Sequence, residues 1–296
     1  MNIFEAQEII QEYYQSQNHT EEEEFIFFEA LTFLIEETKD PKYMIDAGGY
    51  FYRQRKFELA QKYYEMAESY DYEIAYECLG YIWYYGRTGM PDYEKAFHYF
   101  SKSAEKGNLV SQYKVADMYK NGYYVQKDNK KYKDIVSSLV NKVKNCTNVF
   151  DPLPEVYTRY ARICFEEEDI SKGIYYYLIA KDFQAQRLMY TRFFGDLNIM
   201  KWLIQDLYKY KELDLEDIDL FDLFYVLLKP CTITFEYEEE TYTIQAIEEE
   251  RNVVISFLGK WYKDVDDFFK KACIENTPIS TLYLDTYFFE VFNYGE

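Results

Sequence analysis

Acid–base or nucleophilic chemistry in this chain would have to start from two histidines, His19 and His98, and five cysteines, Cys78, Cys146, Cys164, Cys231 and Cys273. A histidine acts as a base only where a nucleophile and an orienting group converge on it. The spacing suggests no Cys–His pair, and His98 falls between apolar positions of a helical pattern, where a surface residue is expected. The cysteines are odd in number, scattered and never spaced as CxxC. They are expected to be small apolar residues in a reducing compartment, not disulfides or zinc ligands. The sequence has no GxSxG, no HExxH, no phosphate-cradling glycine loop and no dinucleotide fingerprint. The acidic run Asp214, Glu216, Asp217, Asp219, Asp222 lacks the mid-loop glycine of a calcium loop, so a helix cap and polar face fit it better. No catalytic residue, metal or cofactor is therefore expected, and the chain is not expected to be an enzyme.

Composition narrows the partners. Of 296 residues, 35 are Tyr and 23 Phe, against 11 Gly and 6 Pro. That balance predicts a folded chain of long elements with few tight turns. The net charge of −20 opposes phosphate backbones and anionic membranes, so neither nucleic acid nor membrane is an expected partner. The best local exception is Lys127, Lys130, Lys131 and Lys133 around Tyr132. Asp128 and Asp134 dilute it, and a solvated helix start is expected there. Residues 1–10 lack a basic start and an apolar run, and no stretch reaches the ~18 apolar residues of a membrane span, so a cytoplasmic location is expected.

The elements show themselves through self-similarity at an offset of 36 residues. Leu79 falls on Val115, Gly80 on Ala116, Trp83 on Tyr119, Gly86 on Gly122, Asp92 on Asp128 and Lys95 on Lys131. The same step backwards takes Ala96 to Ala60, Phe100 to Tyr64 and Ser103 to Ala67. Leu79, Gly80 and Trp83 share one helix face, and Ala96, Phe100 and Ser103 form the face that meets it. The small residue at Gly80 admits a close second helix, and small residues opposite large ones interlock. The turn-formers from Tyr85 to Pro91 separate the two helices. One such hairpin cannot bury its apolar face alone, whereas a stack can.

Ala47-Gly48-x-x-Phe51 followed by Ala60-x-x-x-Tyr64-x-x-Ala67 resembles a tetratricopeptide repeat. The copy Ala75-x-x-x-Leu79-Gly80-x-x-Trp83-x-x-Gly86, with Asp92, Lys95-Ala96, Tyr99-Phe100 and Ala104 to Asn108, is similar to the Sel-one-like subfamily with its longer internal loop. Copies follow at 108–143 and 155–182. In the third copy Tyr132, Val136 and Leu139 replace the small-large-small set, and a bend or break is expected near 140–155, where Asp151-Pro152-Leu153-Pro154 marks a boundary. The resemblance implies a mainly α fold, a right-handed α-α superhelical solenoid over 1–229, and the residue pattern after Pro230 adds the expectation of a small α+β unit over 231–296.

The flanks are read from pattern. Residues 2–16 and 20–38 are expected as a helical hairpin, with Thr20 and Glu23 as a capping box. Residues 184–229 follow a helical pattern through Trp202, Leu203, Leu207, Ile218, Phe221 and Leu228. After Pro230, alternation over 232–237 and 241–244 predicts a hairpin, 252–257 a third strand, and Leu258-Gly259-Lys260 a turn. Asp264 is expected to cap a short helix, Thr277-Pro278 to open another, and Tyr287 to Phe292 to form a strand.

The resemblance also implies a function. Its members bind a peptide or protein on the concave face lined by the first helix of each hairpin. Carried onto this chain, those positions are Lys42, Ile45 and Tyr52 in the first copy. In the second they are Ile74, Glu77, Tyr81 and Tyr84, and in the third Val110, Tyr113, Asp117 and Lys120. In the fourth they are Glu155, Thr158, Arg162 and Phe165. Tyr81, Tyr84 and Tyr113 would be aromatic anchors. Two alternatives stay open: an acidic inhibitor or immunity-type protein that neutralises a basic partner through charge, and a hydrolase whose site the sequence does not reveal.

Overall fold

A computed structural model describes residues 1–15, 19–148, 152–190, 194–250, 252–283 and 285–295. Asp151 of the expected boundary, residue 16 of the expected first helix and residues 191–193 of the expected helical stretch lie outside them. The contacts divide the chain into two compact units, Met1–Leu139 and Val140–Glu296.

The first unit is built from consecutive helical hairpins. Its helices are α1 (Ile3–Gln15), α2 (Glu21–Thr38), α3 (Pro41–Arg53), α4 (Phe57–Glu68), α5 (Glu73–Tyr84), α6 (Tyr93–Glu105), α7 (Leu109–Asn121) and α8 (Asn129–Val143), whose last residues cross the division. From α1 to α7 each helix packs on the next. Side chains close the orphan amides at the helix starts. Thr20 and Glu23 form the expected capping box, Asp40 accepts from Lys42 N with Pro41 in the first turn, and Asn108 accepts from Ser111 N at 2.7 Å.

The 36-residue offset has a physical counterpart. Asp92 accepts from Lys95 N at 3.0 Å, and Asp128 from Lys131 N at 2.9 Å. The Asp92 amide donates to Trp83 O at 3.0 Å, and the Asp128 amide to Tyr119 O at 2.9 Å. The Lys95 ammonium lies 3.8 Å from the Trp83 ring centre, and Lys131 lies 4.7 Å from that of Tyr119. Each long loop is thus closed by an aspartate cap and a cation over an aromatic face.

Close helix approach occurs where the pattern put it. A Cβ at Gly80 would lie 2.6 Å from the Phe100 ring, and one at Gly48 would collide with Tyr64. Phe100 is fully buried and cannot swing aside. Gly80→Ala is therefore expected to destabilise by about 1–3 kcal/mol through overpacking, despite the ~1 kcal/mol that alanine contributes to helix propensity. A thermal melt checks this, and an equal or higher Tm would show that the ring yields. Tyr132, Val136 and Leu139 depart from the small-large-small set yet are buried to 1% exposure or less within an unbroken α8. The offset lays Tyr132 on Ala96, Val136 on Phe100 and Leu139 on Ser103, so the large residue stands one turn earlier in this copy.

The second unit begins with α9 (Leu153–Glu166), α10 (Ile170–Tyr190) and α11 (Phe194–Leu207). The helical expectation for 184–229 fails beyond Leu207. Residues 208–219 are not helical, a 3-10 turn spans Leu220–Asp222, and α12 covers only Leu223–Val226. The cause is local. Asp214 accepts from Glu216 N and Asp219 from Phe221 N, which offers the backbone a turn in place of a helix.

Helix gives way to sheet at Cys231. The strands are β1 (Cys231–Tyr237), β2 (Glu240–Glu249), β3 (Asn252–Phe257), β4 (Lys260–Tyr262) and β7 (Thr286–Phe292), antiparallel in the order β4-β3-β2-β1-β7. Lys260 starts a strand instead of ending a turn. Asp264 caps α13 (Val265–Lys271) as expected. Thr277-Pro278 opens no helix. It is strand β6, paired with β5 (Cys273–Ile274), and a 3-10 turn over Ile279–Thr281 follows. Aromatic rings knit the unit together: Phe224 stacks on Phe269 at 4.0 Å and Phe221 on Tyr283 at 5.3 Å, while Lys201 pairs with Asp266 at 2.8 Å between α11 and α13.

Candidate partner-binding surface

The first helices of two neighbouring hairpins, α5 and α7, carry the surface that the repeat pattern singles out. Ile74, Glu77, Tyr81 and Tyr84 on α5 are half-buried, as are Val110, Asp117 and Lys120 on α7. Tyr113 is buried at 5% exposure. The two helices meet here: the hydroxyls of Tyr81 and Tyr113 lie 3.4 Å apart.

Lys114 organises this junction. It is 9% exposed, and its ammonium lies 5.0 Å from the ring centre of Tyr81, 5.3 Å from Tyr84, 5.7 Å from Tyr85 and 5.5 Å from Tyr113. A desolvated cation among four aromatic faces is held by their quadrupoles. Arg87 repeats the device one step away, 4.9 Å from the Tyr85 ring and 5.6 Å from that of Tyr52, whose hydroxyl accepts from Arg87 Nε at 2.9 Å. The tyrosines expected as free anchors are thus also partners of the chain's own cations.

Burial shapes the electrostatics. It pushes the Glu77 carboxyl up, against the opposing effects of a 2.7 Å hydrogen bond from Asn108 and of Lys114 nearby. It pushes the Tyr81 phenol far up, with Tyr113 adding to the effect, and the Tyr84 phenol up, with Asp117 adding to it. These phenols stay neutral across the physiological range and act as hydrogen-bonding rings, not as acids.

The other copies use the same positions differently. In the first, Lys42 is exposed and Ile45 half-buried, while Tyr52 is held by Arg87. In the fourth, Thr158 is half-buried, and the Glu155 carboxylate pairs with Arg187 at 2.7 Å. Arg162 donates to Tyr177 and to Asp206, each at 3.0 Å, and Phe165 stacks on Tyr210 at 3.7 Å. Arg162 and Phe165 are therefore committed to residues within their own unit.

Lys114 and Tyr85 were not singled out by the sequence pattern. One signal points to Lys114: the 36-residue offset lays it on Cys78, which packs against the apolar core of the preceding copy. A lysine at a core-facing register needs a partner, and tyrosines at 81, 84, 85 and 113 supply it. His98 is exposed on α6. Among the described residues no group of three His, Cys, Asp or Glu is placed to hold a metal ion, and no helix is long and apolar enough to cross a membrane.

Comparison with protein families assigns these hairpins. The profile described as Sel1 repeat matches residues 71–108, 109–131 and 163–182. The chain contains Sel1 repeats. The first match covers the α5–α6 hairpin, the second runs from α7 into α8, and the third joins the end of α9 to α10. Sel1 repeats generally mediate protein–protein interaction and are typically non-catalytic scaffolds. Among solved structures, the chain is similar to a Sel1 repeat protein from Oxalobacter formigenes, at 18% identity and a TM-score of 0.48, over 69% of this chain and 74% of that one. It is also similar to c5321, a protective antigen present in uropathogenic Escherichia coli strains that displays an SLR fold, at 15% identity and a TM-score of 0.42, over 64% of this chain and 46% of that one. No curated protein matches.

Proposed function

We propose that this chain is a protein-binding scaffold whose Sel1 repeats take a peptide or protein segment along the face formed by α5 and α7. One observation carries the proposal: the first helices of two adjacent Sel1 repeats meet through the Tyr81 and Tyr113 hydroxyls, with the half-buried apolar Ile74 and Val110 at the start of each helix. Lys114 holds the tyrosine rings in place, so the surface is preorganised and a partner meets rigid aromatics at little entropic cost. Glu77, Asp117 and Lys120 supply polar contacts beside them. Arg162, bonded to Asp206 and Tyr177, is left out of the contact set, and Thr158 on the same helix with it.

The test compares two folded variants in affinity capture. Ile74→Asp with Val110→Asp alters the proposed face, whereas His98→Asp with Lys102→Glu alters the second helix of the same hairpin. A partner captured by wild type should be lost about tenfold or more with the first variant and retained by the second. Equal capture by all three proteins, with unchanged melting curves, would place binding elsewhere.

A further inference from the structure

The C-terminal sheet carries a cleft that takes no part in the repeat surface. It is bounded by β1, β7 and the turn at 215–218, and its volume is about 930 Å³. Among the described residues β7 is an edge strand, paired with β1 alone. The β1–β7 register shifts between Thr234 and Glu236: Thr234 faces Glu290 and Glu236 faces Tyr287, so two residues of β7 stand opposite Phe235. A bulge of this kind bends the strand and re-aims its side chains.

The result is a cleft with two chemical characters. Phe235 and Phe289 line it from the strands and Ile218 from the turn. Glu236 and Glu290 join them from the strands, and Glu216 and Asp217 from the turn. Among the described residues no Lys, Arg or His lines it. Among the described residues none of the four carboxylates forms an ion pair, whereas the acidic side chains around Lys181, Arg187 and Lys201 are all paired. The carboxylates are also not grouped to hold a metal ion. The unmet charge is therefore spread along an apolar wall, which suits an organic cation attached to apolar chain.

We propose that this cleft docks a basic segment of a partner protein, with a lysine or arginine between the carboxylates and an apolar neighbour against Phe289 and Ile218. Complementary charge sets the choice of occupant. The chain's net charge of −20 steers such a segment in from a distance. An extended segment also finds the open edge of β7 beside it.

The probe is a fluorescent peptide of roughly 12 residues alternating lysine with leucine, titrated against the full chain by anisotropy at about 50 mM salt. Glu236→Gln with Glu290→Gln should weaken binding about tenfold, and Glu216→Gln with Asp217→Asn, a second variant that leaves the strands intact, should do likewise. Glu21→Gln with Glu22→Gln on α2 removes the same charge elsewhere and should change binding less than about twofold. An oligolysine of the same length without leucine should bind about tenfold more weakly. No binding of the probe would overturn the proposal. So would an equal loss in the α2 control, which would mean diffuse attraction, or equal binding of oligolysine or spermine, which would mean a simple cation site.

Discussion

Raising the pH above about 10 should unfold this protein cooperatively, with the buried share of the tyrosinate absorbance appearing together with loss of helical circular dichroism. Burial pushes the phenols of Tyr64, Tyr81 and Tyr177 far above their ordinary value of 10.0. A group whose folded pKa is raised contributes stability that is complete below its unfolded pKa and lost as pH rises through the folded one. In the unfolded chain these phenols ionise near pH 10, while in the folded chain they hold their protons. Each therefore removes roughly 1.4 kcal/mol of stability per pH unit above that point. Tyr64 and Tyr81, both in the first unit, together remove about 4 kcal/mol by about pH 11.5, a large share of the ~5–15 kcal/mol that holds an ordinary domain. Stopped-flow or equilibrium titration at 295 nm and 222 nm provides the check. Ionisation of all 35 tyrosines with helicity intact would mean that these hydroxyls are wet.

The second large effect is expected at Lys181. Its ammonium is 9% exposed and lies 2.7 Å from a carboxylate oxygen of both Asp219 and Asp222. Burial works to lower its pKa, but attraction to the two aspartates outweighs burial and raises it. Burial first, and Asp222 second, push Asp219 up. Lys181→Met leaves two neighbouring carboxylates without a counter-charge and should cost about 3–5 kcal/mol. The triple variant Lys181→Met, Asp219→Asn, Asp222→Asn removes the uncompensated charge while keeping the turn's cap, and it should recover most of that loss. The deficit of the single variant should also be smaller at about pH 5 than at pH 8, because burial and Asp222 raise the Asp219 pKa in the fold and acid neutralises that carboxylate sooner. Denaturant melts at the two pH values read all of this, and a Lys181→Met melt that matches wild type would show the site to be solvated.

The two cation sites follow different physics. Lys181 is balanced by carboxylates, which are strong partners only while the pair stays intact. Lys114 lies among four aromatic rings, whose attraction does not titrate away at acid pH, with the Glu77 carboxylate nearby.

Much of this protein is decided locally, and those parts are legible in the sequence. Asp92 and Asp128 stand where a helix needs its first amides capped, and Gly80 stands where only a missing Cβ admits Phe100. The spacing of 36 residues records one hairpin's geometry repeated. The hairpin of β1 and β2 and the cap at Asp264 follow from alternation and capping, which extend over a few residues. What the sequence pattern misjudged is also local in origin: the turn at 214–219 forms because aspartate side chains outcompete the helix for backbone amides.

The tertiary structure decided the rest, because the partners are far apart along the chain. Lys181 meets Asp222 across 41 residues, and Arg162 meets Asp206 across 44. β7 lies beside β1 although β2 to β6 and α13 separate the two along the chain. In a chain with 35 tyrosines, composition cannot say which rings gather around Lys114 and which face a partner. Periodicity assigns a residue to a face. The buried cation beneath that face, and the bulge that opens an acidic cleft at the sheet's edge, depend on desolvation and register between distant segments, which are properties of the packed fold.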